Sequence, residues 1–86
     1  MSQVIVYTLK NCPNCEALKE FLNGRGVPYQ EQDMSSATSL TELRVNGIFV
    51  NEAPVLRRDE RFFTSRDLFS RGSIREEEIS TLLEGE

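Results

Sequence analysis

Cys12 and Cys15 are the only two cysteines of the chain, and they stand in the run Cys12-Pro13-Asn14-Cys15. Two thiols at this spacing can cycle between dithiol and disulfide. The pair follows directly on the β-like run Val4-Ile5-Val6-Tyr7-Thr8, and a helix-like pattern begins at once. A strand-to-helix junction puts both sulfurs at the positive end of a helix, where unpaired N–H groups stabilise a thiolate. Cys12, outermost in the turn, is the expected nucleophile. Cys15, one turn inside, is the expected resolving thiol. Lys10 and Lys19 are placed to add positive potential. The chain has no histidine, but exchange depends on the thiolate fraction and needs no imidazole base.

Two other uses of the pair compete with this one. A structural disulfide gains little here, because so short a loop has little closure entropy to lose. Tetrahedral zinc needs four ligands, and one C-x-x-C without histidine supplies two. An iron–sulfur cluster or metal shared between two copies stays open as an alternative.

The elements that must hold the pair can be read around it. The first strand is expected over Gln3–Thr8, apolar on both faces as in a partly parallel sheet. The first helix is expected over Pro13–Asn23, opened by Pro13 and closed at Gly24 as a left-handed cap. Ala17, Leu18, Phe21 and Leu22 form its apolar face. Val27–Gln32 reads as a second, edge strand because of Pro28, giving a parallel crossover. Ser35 or Ser36 caps a second helix that ends near Val45, before Asn46-Gly47.

The second half changes style. Val55-Leu56-Arg57 and Arg61-Phe62-Phe63-Thr64 flank the polar turn Arg58-Asp59-Glu60, which predicts a hairpin with Phe62 and Phe63 on opposite faces. Ser65 is expected to cap a short helical turn, and Ser73-Ile74-Arg75-Glu76 reads as a capping box for a last helix. Arg57, Arg58, Arg61 and Arg66 are either a docking surface for an acidic partner or ordinary surface charge.

Composition sets the limits. Eighty-six residues predict one domain over 1–86. The charge of −4 disfavours nucleic acid, and no apolar run is long enough to span a membrane. Met1-Ser2-Gln3 lacks a signal-peptide layout, so a cytoplasmic protein is expected; a monomer is expected as well. In that reducing compartment a lone C-x-x-C is rarely a staple.

The order β-α-β-α-β-β-α, an α/β four-stranded mixed sheet flanked by three helices, resembles the thioredoxin-like fold in its minimal, glutaredoxin form. Val6-Tyr7-Thr8, the cysteine turn, Gly26 and Ala53-Pro54-Val55 carry the resemblance, which covers essentially the whole chain. It extends to the glutaredoxin-like electron donors of ribonucleotide reductase. It implies a thiol–disulfide oxidoreductase with no bound cofactor beyond a redox-active Cys12–Cys15 disulfide. It also implies that Pro54 is cis and that the Ala53 backbone receives an extended substrate beside Cys12. The substrate-binding set it implies is Lys10, Pro13, Asn14, Ala53, Pro54, Thr64, Ser65 and Asp67, with Asp67 the acidic residue that meets glutathione.

The chain departs from the family pattern at Asn14, where Tyr is typical, at Leu9, where a basic residue is typical, and at Thr64-Ser65, where Gly-Gly is typical. Leu9 and the missing glycines favour a dithiol reductase of protein disulfides, with ribonucleotide reductase as one client, recycled by a thioredoxin reductase with NADPH. Pro13 and Asp67 are compatible with the alternative, a glutathione-recycled glutaredoxin that removes glutathione from proteins.

Overall fold

The computed structural model describes residues 3–84. The expectation drawn from Met1 and Ser2, and the outer ends of the domain expected over 1–86, lie outside the described residues.

The chain runs β1 (Val4–Thr8), α1 (Pro13–Gly24), β2 (Gln30–Asp33), α2 (Ala37–Val45), β3 (Val55–Arg58), β4 (Arg61–Phe63), α3 (Ser65–Leu68), β5 (Phe69–Ser70), β6 (Ser73–Ile74) and α4 (Glu76–Glu84). Four strands form a mixed sheet in the order β2-β1-β3-β4. β1 pairs parallel with β2 and antiparallel with β3, and β3 pairs antiparallel with β4. This is the expected mixed sheet with its three helices α1, α2 and α4, to which the one-turn α3 and the small β5–β6 pair are added.

The two-residue period of β1 divides its buried side chains between two cores. Val4 and Val6 pack with Leu18 and Leu22 of α1, Leu56, Leu68 and Ile79 of α4. Ile5 and Tyr7 pack on the other face with Met34, Val55 and Leu43 of α2. Each fully buried leucine contributes about 1.5–3 kcal/mol relative to exposure. Phe62 and Phe63 do lie on opposite faces, one against each core, and both are half-buried.

Several boundaries differ from expectation. Gly24 stays inside α1, and the left-handed residue is Gly26, at φ 70°. Gly26 N–H bonds to Asn23 at 3.1 Å and Val27 N–H to Leu22 at 3.0 Å, the pattern of a Schellman end. α2 ends in the same way at Gly47, φ 78°, with Ile48 N–H on Leu43 at 2.8 Å. Of the two serines considered, Ser36 caps α2: its hydroxyl accepts from Ser39 N–H at 3.1 Å.

The β3–β4 turn holds only Asp59 and Glu60, because Arg58 is paired with Arg61 in the ladder. Thr64, rather than Ser65, is the cap of α3. Ser73 does not cap the last helix. It pairs with Ser70 in the β5–β6 hairpin, and α4 begins at Glu76.

The arginines serve the fold. Arg57 lies 4.9 Å over Phe62 and donates to the Asp59 carbonyl at 2.7 Å. Arg61 lies 5.6 Å over Phe63. Arg58 is buried and donates to the Leu82 carbonyl of α4. Of the expected basic surface, Arg66 is the member that lines an open cavity.

Candidate active site

β1 ends at Thr8, and the loop Leu9–Asn11 carries the chain to α1. Asn11 takes the left-handed conformation at φ 55°, which asparagine tolerates better than most residues. Cys12 is the N-cap of α1, and Glu16 N–H donates the first helical bond to its carbonyl at 3.2 Å. Cys15 N–H donates to Cys12 Sγ at 3.0 Å, so an unpaired donor of the first turn is aimed at the sulfur. Pro13, with no N–H to leave unpaired, opens the helix as expected.

The two sulfurs are joined as a disulfide, with the Cα atoms 5.2 Å apart. Their surroundings differ. Cys15 is 1% exposed, while Cys12 is half-buried. A reactant from solvent therefore reaches Cys12 first, and Cys15 is reached through it.

Across the cysteine turn stands the end of the loop that precedes β3. The Ala53–Pro54 peptide is cis, and the Ala53 carbonyl oxygen lies 3.7 Å from Cys12 Sγ. Pro54 is buried behind it, and the Ser65 hydroxyl donates to the Pro54 carbonyl at 2.9 Å.

An open groove of about 480 Å³ brings together Lys10, Cys12, Pro13, Asn14, Ala53 and Ser65 from the expected set. It also includes Leu9, Asn11 and Glu52, which sequence reasoning did not assign to substrate. Only adjacency in the chain to Lys10, Cys12 or Ala53 pointed to those three. A second cavity of about 370 Å³ shares Glu52 and Ser65 with the groove and continues it to Phe49, Thr64 and Arg66.

Asp67 lines neither cavity. Its carboxylate accepts from the Thr64 backbone N–H at 2.9 Å and from the Thr64 hydroxyl at 3.2 Å, and so caps α3. The expected glutathione ligand thus spends one carboxylate oxygen on its own turn, and the residue is exposed.

Lys19 is similarly committed. Its ammonium lies 3.0 Å from Glu16 and 3.1 Å from Glu31, and Thr8 Oγ1 donates to Glu31 at 2.8 Å. Hydrogen bonds to Glu16 and then Glu31 hold Lys19 above its ordinary pKa. The Thr8 hydroxyl, followed by Lys19, holds Glu31 below the usual carboxylate value. The positive potential expected from Lys19 is therefore offset by two carboxylates. Among the described residues, no group of three or more histidine, cysteine or acidic side chains is arranged to hold a metal ion.

The glutaredoxin family model matches residues 4–63, which include the cysteine turn and Ala53-Pro54. N-acetyl-S-hydroxy-L-cysteine reductase of Bacillus subtilis (strain 168) is 32% identical over 53 residues, 62% of this chain. The match spans 57% of that protein's length, a little over half. Among solved structures, the fold is similar to that of NrdH-redoxin from Escherichia coli, a glutaredoxin-like protein described with a thioredoxin-like activity profile. That likeness has a TM-score of 0.58 and 22% identity, and it covers 72% of this chain and 80% of the other. Glutaredoxin 1 from Francisella tularensis, complexed with cacodylate, gives a TM-score of 0.57 and 17% identity over 74% of this chain and 83% of the other. At these identities the two structures speak for the shared thioredoxin-like fold alone.

Proposed function

This chain belongs to the glutaredoxin family as a thiol oxidoreductase with a Cys12–Cys15 pair, and we propose that it reduces protein disulfides on that pair. The Cys12 thiolate attacks one sulfur of the client disulfide. A Cys12–client mixed disulfide forms, and the client's other sulfur leaves as a thiolate. Cys15, after losing its proton, attacks Cys12 Sγ. The client's second thiolate leaves and the Cys12–Cys15 disulfide closes. Two electrons pass to the client, and the leaving thiolates take up protons.

The observation that carries this reading is the Cys15 N–H directed at Cys12 Sγ at 3.0 Å, with Cys15 itself shielded beneath. It supplies a stabilised outer thiolate and an inner thiol that reacts second.

A thioredoxin reductase with NADPH is the reductant we favour over glutathione. Leu9 stands where a glutathione site would place a basic residue, and Asp67 is held by Thr64. Ribonucleotide reductase is one client of this chemistry. We take the working form as a cytoplasmic monomer, whereas a dimer holding a cluster would purify coloured. The test counts free thiols after exposing the oxidised protein either to glutathione or to thioredoxin reductase with NADPH. Reduction by the enzyme alone supports the reading. Reduction by glutathione alone replaces it with a glutathione-linked glutaredoxin in which Asp67 and Lys10 are ligands.

The likeness to N-acetyl-S-hydroxy-L-cysteine reductase supports a second substrate class for the same pair. With a small sulfenic acid, Cys12 attacks the S–OH sulfur. Water leaves after protonation of the hydroxyl, and Cys15 then releases the small thiol. Turnover of such a sulfenic acid with Cys12–Cys15 disulfide as the product is the measurement that supports it.

A further inference from the structure

The Cys12 sulfur lies between two backbone dipoles of opposite sense. Cys15 N–H, at 3.0 Å, favours the thiolate, and the Ala53 carbonyl, at 3.7 Å, favours the protonated thiol. The first dipole is fixed by helix α1. The second belongs to the end of a loop in which Asn51 and Glu52 are exposed.

That loop end is tied from behind by one side chain. Ser65 Oγ donates to the Pro54 carbonyl at 2.9 Å. Ser65 is the first residue of α3, a turn held at both ends. On one side Thr64 is capped by Asp67. On the other Leu68, fully buried in the core, closes the turn with its N–H on the Thr64 carbonyl at 3.1 Å.

We infer that Ser65 is a positioning residue: by holding Pro54, it sets the Ala53 backbone against Cys12 so that a polypeptide disulfide can lie between them. The inference rests on the proposed reduction of protein disulfides. It adds to the expectation that Ser65 meets substrate: Ser65 lines the groove, and its hydroxyl proton is directed to Pro54. A client chain laid along Ala53 needs that backbone in place. A small disulfide needs only Cys12. Releasing the Pro54 carbonyl therefore has two effects of opposite benefit. The Ala53 carbonyl draws back and leaves Cys12 more readily ionised, while the client chain loses its support.

The test uses the full chain with Ser65→Ala and Ser65→Thr, the second of which keeps the hydroxyl. One readout is kcat/KM for a disulfide-bonded peptide divided by that for hydroxyethyl disulfide. The other is the pH midpoint of Cys12 alkylation. In Ser65→Ala the ratio should fall by roughly 3- to 10-fold, the value of one hydrogen bond, and the midpoint should move to lower pH. Ser65→Thr should restore both. If Ser65→Ala does not fold, Ser65→Cys, a weaker donor, carries the same signs. A ratio and midpoint that stay at wild-type values, or a Thr variant that behaves like Ala, overturn the inference. A wild-type chain that turns over neither disulfide overturns the proposed function instead, and the alkylation midpoint alone then decides the role of Ser65.

Discussion

Cys12 and Cys15 lie 5.2 Å apart at Cα, yet the second is 1% exposed and the first is half-buried at the rim of an open groove. The asymmetry follows from the helix. Cys12 is its cap and faces out of the first turn, while Cys15 falls on the face that carries Leu18 and Leu22 into the core.

Exchange should therefore proceed in a fixed order. Cys12→Ser is expected to lose all disulfide reductase activity. Cys15→Ser should keep the first step and accumulate Cys12–client adducts, seen by mass spectrometry as a mass gain that dithiothreitol reverses. Adducts on Cys15 in the Cys12→Ser protein would contradict the assignment.

The helix ends make a prediction in which two glycines differ in sign. Gly26 sits at φ 70° with no neighbour within 4 Å of the place a Cβ would occupy, so Gly26→Ala carries a purely backbone cost. A loss of about 1–2 kcal/mol is expected. Gly24 is helical and equally uncrowded, so Gly24→Ala should stabilise by about 0.5–1 kcal/mol. Urea unfolding of both variants, compared at constant m-value, provides the check.

Tyr7 and Glu42 link the central strand to α2. The Tyr7 hydroxyl donates to Glu42 Oε1 at 3.0 Å, and Arg57 donates to that hydroxyl at 3.5 Å. Tyr7→Phe should cost about 0.5–1.5 kcal/mol. Burial, the largest influence, raises Tyr7 above its ordinary value of 10.0. Its folded form thus holds the proton more tightly than the unfolded chain. The associated stability is complete below pH 10 and is lost as pH rises through the raised value. Unfolding in the alkaline range should therefore be less steep with pH in Tyr7→Phe than in wild type.

Acid should act through Glu31. Its carboxyl is held below its ordinary value of 4.5 by Thr8 and Lys19. The unfolded chain takes up that proton first as pH falls. The stabilisation is present above 4.5 and disappears as pH drops through the lowered folded value. Urea midpoints of wild type and Glu31→Gln should differ at pH 6 and converge in strong acid. High salt should shrink the difference at pH 6, since both partners reach solvent.

Much of the frame was legible because local and tertiary preferences agree. The apolar run Val4–Tyr7 implied burial on both faces, and the two cores on β1 supply it. The misplaced features are those in which a distant contact decides. Ser73-Ile74-Arg75-Glu76 has the local form of a capping box. However, Arg71 at φ 54° and Gly72 at φ 80° turn the chain so that Ser73 pairs with Ser70 instead. Arginine is not a usual residue for a left-handed turn position, so the hairpin left no clear trace in sequence. The four arginines could be read as one docking surface or as ordinary surface charge, because proximity in sequence says nothing of partners. Three of them are taken up by Phe62, Phe63 and the end of α4.

The redox pair was legible from its spacing together with its place between a strand-like run and a helix-like pattern. The clasp beneath it was not, because Ser65 and Pro54 are eleven positions apart and neither residue type announces the other. Asp67 was legible as an acid near the site, but whether it faces a ligand or its own Thr64 is decided by the local turn of α3.

β1 is walled by a helix-bearing core on each side and by a hydrogen-bonded strand along both edges. Its amides should therefore be among the last to trade hydrogen for deuterium, opening only when the molecule unfolds as a whole. Four residues past its end, Cys12 meets solvent. The segment expected to open last thus carries the cysteine proposed to react first, so the proposed cycle of oxidation and reduction would run at the tip of an anchor that does not itself have to breathe.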